Sequence, residues 1–275
     1  MFLLMLLFSA TYYLYTKKNT PKKGKVIVLN GVSRSGKTSL ANCLVKLLGP
    51  SWEKVERDDF VAQIFMDKMN GKISQDQFLC RMRKQTDAIY KKIKDLVHSG
   101  KHVILDTVLS GPEGKKTIKQ AFEKLQDFDV CLVLVYCPLH VIIQRLKEMN
   151  KKAYLQDDIR ELRPVFATLQ FLSLYRPKKY DTEISLGSLS CKDIEIGFRE
   201  SKKECEDVIA RLKKVKSHFF SQFCFDKNNT LKIVPRLAYD LIIDTSKHDK
   251  QTCAQMVYDF IRANNFRAFE VNYRT

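Results

Sequence analysis

The chain has 275 residues, 45% of them hydrophobic, which is enough for one large domain, or one domain with a sizeable insertion, around an ordinary core. Forty-eight Lys and Arg against 31 Asp and Glu give a net charge of +17. That charge suits a polyanionic partner such as a nucleotide, nucleic acid or an anionic membrane surface, but the basic residues are spread over the whole chain, which argues against a dedicated nucleic-acid groove. Eight cysteines form no C-x-x-C pair, and those in "DVCLVLVYC" read as small hydrophobes in a reducing compartment. The five histidines pair with no cysteine at ligand spacing, so no zinc site is expected.

Taken in chain order, the first element is the apolar run "MFLLMLLFSATYYLY", followed at once by the lysines of "TKKNTPKKGK". As a helix it would be roughly 22 Å long, short of the roughly 30 Å of a bilayer core unless tyrosines and snorkelling lysines extend it. No basic residue precedes it and no small-x-small cleavage site follows, so it reads as an uncleaved anchor over residues 1–16 rather than a secretory signal. A basic linker occupies 17–24. The positive-inside rule then places the rest of the chain on the cytoplasmic face of a membrane. The alternative is a helix lying against a soluble cytoplasmic domain.

"KVIVL" reads as a buried strand of the parallel type, and "TSLANCLVKLLG" as a helix closed by Gly49. "EKVERDD" is a short second strand ending in acids. Ser74 and Gln77 form a capping box that opens a long amphipathic helix stopping at Gly100. "KHVILDTVL" is a third strand, Pro112 suits the first position of the helix after it, and "FDVCLVLVYCP" is a fourth strand feeding "LHVIIQRLKEM". Residues from about 150 to 235 read as a largely helical insertion, after which "AYDLIIDTS" and "KQTCAQMVYDFIRA" restore a strand and a helix. Alternating strands and helices predict a doubly wound α/β domain over 25–275, with a mainly parallel five-stranded sheet.

Between the first strand and first helix lies G-x-x-x-x-G-K-T, the pattern of a phosphate-binding loop. Gly31, Val32, Ser33, Arg34, Ser35, Gly36, Lys37, Thr38 and Ser39 are the candidate nucleotide contacts. The glycines free the backbone so that N–H groups turn toward phosphate oxygens, Lys37 supplies a point charge and Thr38 a hydroxyl for Mg²⁺. Asp106 ends the third strand, where a carboxylate can stand beside that ion. Asp58 and Asp59 end the second strand at the sheet edge that binds ligands in α/β folds. Asp58 is read as the general base toward an acceptor hydroxyl, and Asp59 as the acid that starts the next helix. Arg145, on the helix after the fourth strand, is placed where a kinase lid brings cations over the transferring group.

On these residues the chain resembles the chloramphenicol phosphotransferase-like branch of the P-loop kinases. The likeness rests on "VIVLNGVSRSGKTSLANCL", on Trp52 with Asp58 six positions on, on "VILDTVL", on "FDVCLVLVYCPLHVIIQRLKE" and on "YDLIIDTS". It implies ATP- and Mg²⁺-dependent phosphorylation of a hydroxyl, with Asp58 as base, Lys37 as the loop lysine and Arg145 as a lid-side arginine. The chain departs from the family at Thr107, where a second acid is usual, in a lid richer in lysine than arginine, and in the insertion. A small-molecule acceptor is the leading reading. A polynucleotide or RNA kinase, and a nucleotide-dependent, membrane-tethered switch without phosphoryl transfer, are the alternatives. A guanine-specific switch is disfavoured because the N-K-x-D pattern fails at Ala153.

Overall fold

The computed structural model describes residues 24–109, 114–152, 167, 183–185, 230–232 and 237–263. In chain order the elements are β1 (Lys25–Asn30), α1 (Lys37–Leu48), β2 (Trp52–Glu56), α2 (Asp58–Met69), α3 (Gln75–His98), β3 (His102–Thr107), α4 (Gly114–Leu125), β4 (Asp129–Tyr136), α5 (Leu139–Lys152), β5 (Glu183–Ser185), β6 (Thr230–Lys232), β7 (Leu241–Asp244) and α6 (Lys250–Ala263).

Five strands pair in the order β2-β3-β1-β4-β7, every neighbour parallel, which is the doubly wound sheet expected from the alternating pattern. Side-chain alternation along each strand divides the core between the two faces. Val26 and Val28 pack with Ile93 of α3 and Phe122 and Leu125 of α4, whereas Ile27 and Leu29 face Leu40 and Leu44 of α1 and Val257 of α6. β1 is buried on both faces because it lies between β3 and β4, which explains why "KVIVL" carries no polar alternation.

The capping box forms as read: the Gln77 N–H donates to Ser74 Oγ at 3.2 Å, and the Ser74 N–H to Gln77 Oε1 at 2.8 Å. α2 rests mainly against α3, with Ile64, Ile73 and Phe78 forming a small core separate from the two main ones. Pro112, and most of the segment read as an insertion, lie outside the described residues. Within that segment, β5 and β6 pair antiparallel.

The membrane-anchored localisation requires correction. Among the described residues no helix is long and apolar enough to cross a membrane, and residues 1–16, which carried the expectation, lie outside them. The apolar runs that are described are strands of six to eight residues, whose peptide groups pair within the sheet, as in β1, β3 and β4. The anchor is not retained.

Tyr239, just before β7, closes the fold over β1. Buried Asn30 donates from Nδ2 to the Tyr239 hydroxyl at 2.8 Å and accepts from the Leu109 N–H at the same distance, tying three distant segments together. Burial pushes the Tyr239 phenol up from 10.0 to about 12, against the opposing effect of the Asn30 hydrogen bond. Between those values the unfolded chain has released this proton and the folded chain still holds it, so stability falls with rising pH by about 1.4 kcal/mol per unit per proton. Urea titrations from pH 10 to 12 are expected to show this decline. Tyr239→Phe should flatten the slope by one proton while costing roughly 1 kcal/mol at pH 7, because Asn30 loses its acceptor.

Candidate active site

Gly31 begins the loop after β1 pressed against the end of β4. A Cβ at this position would lie 2.4 Å from the Val135 carbonyl oxygen, so a side chain cannot be added without moving backbone. The loop then curls through Arg34, a non-glycine residue at φ 66°, and Gly36, at φ 99°. Backbone of this hand is costly for side-chain-bearing residues and is retained where surroundings over-determine it. Gly36 is the N-cap of α1 and supplies no side-chain cap, so the first N–H groups of that helix are left for a ligand to satisfy.

Inside the curl, buried Lys37 donates from Nζ to the Val32 carbonyl at 2.9 Å and lies 4.0 Å from Asp106 Oδ1. The Thr38 hydroxyl donates to Asp106 Oδ2 at 2.5 Å. Parallel pairing of β1 with β3 sets Leu29 opposite Asp106, and the loop after β1 then brings Lys37 and Thr38 onto this carboxylate. Burial drives the two charges in opposite directions. It lowers the Lys37 ammonium, which Asp106 and then Asp58 partly restore, and it raises the Asp106 carboxyl, which Lys37 and the Thr38 hydroxyl partly restore. Thr107, standing where a second acid was noted as missing, is buried beside them.

The loop is supported from the far side by Thr245, which follows β7. Its hydroxyl donates to the Ser35 carbonyl at 2.5 Å. Arg145 of α5 bridges the same parts: Nη1 donates to the Arg34 carbonyl at 3.1 Å and Nη2 to the Thr245 carbonyl at 2.9 Å. The guanidinium expected at a lid is therefore hydrogen-bonded to backbone at the base of the loop.

A cavity of about 960 Å³ joins these groups. Its floor is the loop from Ser33 to Leu40, with the exception of Ser35. At the β7 edge it is closed by Arg145, Leu146, Thr245 and the start of α6, including His248, Asp249 and Gln251. At the β2 edge it is closed by Glu56, Arg57 and Asp58, and by the α2 face carrying Val61, Ala62, Phe65 and Met66. Asp106 and Thr107 stand between. Asp58 and Asp59 are both exposed in the first turn of α2, but only Asp58 lines the cavity. Trp52, six residues earlier, is buried in the α1-side core with its ring 4.9 Å from His102 at a tilt, anchoring the start of β2; that strand ends at Glu56, and Asp58 and Asp59, expected at its end, instead open α2.

The cavity thus collects Ser33, Arg34, Gly36 to Ser39, Asp58, Asp106 and Arg145, whereas Gly31, Val32 and Ser35 shape the loop from behind. Three residues were missed in the sequence. Thr245 and Tyr239 both lie in "YDLIIDTS", one of the segments that carries the resemblance, but neither was given a role. Arg57 lay in plain view in "ERDD" but was passed over for the acids beside it.

Fold and loop together define a P-loop kinase-type α/β protein. Residues 24–193, more than half of the chain, match the family model of chloramphenicol phosphotransferase-like proteins, and the chain belongs to that family. The match runs past residue 150 into the segment read as an insertion and ends before β7. No curated protein matches the sequence. Among solved structures, the chain is similar to the Mycobacterium tuberculosis APS kinase CysC in complex with AMPPNP and APS, at 15% identity and TM-score 0.47, covering 88% of this chain and 100% of that one. It is also similar to a sugar kinase from Janibacter sp., at 12% identity and TM-score 0.41, over 88% and 95% of the two chains. Shikimate kinase from Bacteroides thetaiotaomicron shares 12% identity at TM-score 0.43, over 86% and 98%.

Gly31→Ala is expected to cost about 1–3 kcal/mol of stability by overpacking and to weaken nucleotide binding, measured by titration with a fluorescent triphosphate. Thr245→Ala removes one hydrogen bond to the loop and should weaken the same binding by roughly 1 kcal/mol.

Proposed function

We propose that the protein is an ATP-dependent phosphotransferase that moves the γ-phosphate to a hydroxyl of a small-molecule acceptor. The observation that supports this most directly is the convergence of Lys37 and Thr38 on Asp106, in a cavity whose β2 edge presents Asp58. In this reading the uncapped N–H groups of α1 and the Lys37 ammonium receive the β- and γ-phosphates. Lys37 now rests on the Val32 carbonyl and exchanges that neutral acceptor for an anionic one. Thr38 and Asp106 offer a hydroxyl and a carboxylate oxygen, the hard donors Mg²⁺ accepts when phosphates and water complete its shell. Bound there, the ion would offset charge on the phosphate oxygens.

Asp58 takes the proton from the acceptor hydroxyl as its oxygen approaches the γ-phosphorus. Arg145, held by the Arg34 and Thr245 carbonyls, fixes the loop against the turn after β7 and so acts on the nucleotide through the loop's shape. The base and sugar of the nucleotide lie toward the β7 edge, and the acceptor toward β2. The kinase domain is taken as residues 25–275, with residues from about 150 to 235 inserted in it.

The test is transfer from γ-labelled ATP to a panel of small alcohols, RNA ends and proteins. Asp58→Asn is expected to lower the turnover of the labelled acceptor by about 10²–10⁴-fold, with nucleotide affinity held within a few-fold. Turnover unchanged in Asp58→Asn would remove Asp58 from the role of base, and label entering RNA alone would overturn the small-molecule reading.

A further inference from the structure

At its β2 edge, away from the loop, the cavity holds a cation that the proposed nucleotide site does not use. Arg57 lies at the β2 edge, between Glu56 and Asp58, two strand positions from the loop after β1. At about 4.8 Å per strand that is roughly 10 Å from the phosphate site, measured away from the β7 edge. Its backbone is committed, the N–H donating to the Asp106 carbonyl at 3.0 Å. Among the described residues its guanidinium has no hydrogen bond or ion pair. Burial lowers its pKa, offset by Asp58 and Tyr90. A half-buried guanidinium that lines the cavity, with its planar set of N–H donors uncommitted among the described residues, is well matched to a planar or tetrahedral oxyanion.

The surroundings limit what that oxyanion belongs to. A neutral alcohol approaching Asp58 needs no cation beside it. An anionic one meets the carboxylates of Glu56 and Asp58 and requires Arg57 to offset them. Beyond Asp58, Val61, Ala62, Phe65 and Met66 continue along one face of α2 at helical spacing, an apolar strip about 8 Å long at 1.5 Å per residue.

Building on the kinase reading above, we propose that Arg57 anchors the acceptor, and that the acceptor is an alcohol carrying its own oxyanion near the reacting hydroxyl and an apolar body that lies along α2. Carboxylate, phosphate and sulfate esters share this chemistry. In the transfer, the hydroxyl oxygen forms its bond to the γ-phosphorus while the bond from that phosphorus to the β–γ bridging oxygen breaks. The electron pair leaves on ADP, and the hydroxyl proton goes to Asp58. Arg57 takes no part in these bonds. It holds the charged end of the acceptor so that the hydroxyl faces Asp58.

The first test is titration of inorganic sulfate into the full chain saturated with AMPPNP and Mg²⁺, which keeps the sulfate out of the phosphate loop. Arg57→Gln is expected to weaken sulfate binding by about 10- to 100-fold and Arg57→Lys by less, since lysine keeps the charge without the paired donors. Without sulfate, Arg57→Gln should melt no lower than the parent, because among the described residues it removes no hydrogen bond or ion pair. A marked drop in Tm would instead make Arg57 a structural residue.

The second test compares 3-phenyllactate, its neutral amide, and a wider set of alcohols paired in the same way, as acceptors of label. The charged members should be preferred, with that preference lost in Arg57→Gln through acceptor KM. Unaltered sulfate affinity in Arg57→Gln, a loss falling on AMPPNP instead, or label entering only neutral alcohols would overturn the proposal. If the parent chain binds AMPPNP yet labels nothing, it is the kinase reading that fails, and the sulfate titration still decides the role of Arg57.

Discussion

The loop after β1 can lie where it does only because Gly31 lets backbone run against backbone at the Val135 carbonyl. That contact sets the loop down on the end of β4, and the turn through Arg34 and Gly36 carries the chain back over β1 into α1. Once the loop is seated, Lys37 and Thr38 meet the carboxylate of Asp106, because β3 is the other neighbour of β1 in the sheet. The rest of the site is hung on this arrangement. Thr245 and Arg145 hold it from the β7 side, and β2, paired to β3, presents Asp58 and Arg57 from the other.

Charge burial organises the same region. Lys37 and Asp106 are each disfavoured by desolvation and each favoured by the other, so neither side chain is tolerable alone. Arg57, half-buried, is also lowered by burial and has no hydrogen-bonded partner among the described residues. One cation is thus balanced within the protein, and another is left for a ligand to balance. The floor of the cavity favours a polyphosphate, while its β2 edge presents mixed charge above an apolar helix face. The ends of one cavity therefore suit different chemical groups, as the proposed transfer between two substrates requires.

Much of this was legible beforehand for local reasons. Runs such as "KVIVL" and "DVCLVLVY" are strands buried on both faces and carry that fact in their composition. The capping box at Ser74 and Gln77 is complete within four residues, and the phosphate loop is written in nine. The expectation that failed, a membrane anchor inferred from "MFLLMLLFSATYYLY", rested on hydropathy and on the lysines that flank the run. Hydropathy by itself does not fix where an apolar segment is buried. Arg145 was legible as a residue of the site, but its attachment to two backbone carbonyls, 111 positions before it and 100 positions after it, was not.

The sequence by itself determined the periodicities that make strands and helices, the loop whose glycines permit its curl, and the acids at the ends of β2 and β3. Those properties depend on residues within a few positions of one another. Tertiary structure decided which of these pieces meet: Asp106 under Thr38, Thr245 behind Ser35, Tyr239 on Asn30, and Arg57 at the cavity's edge without a hydrogen-bonded partner among the described residues. Such meetings follow from the strand order β2-β3-β1-β4-β7, which is settled by how the helices cover both faces of the sheet together and not by any one segment.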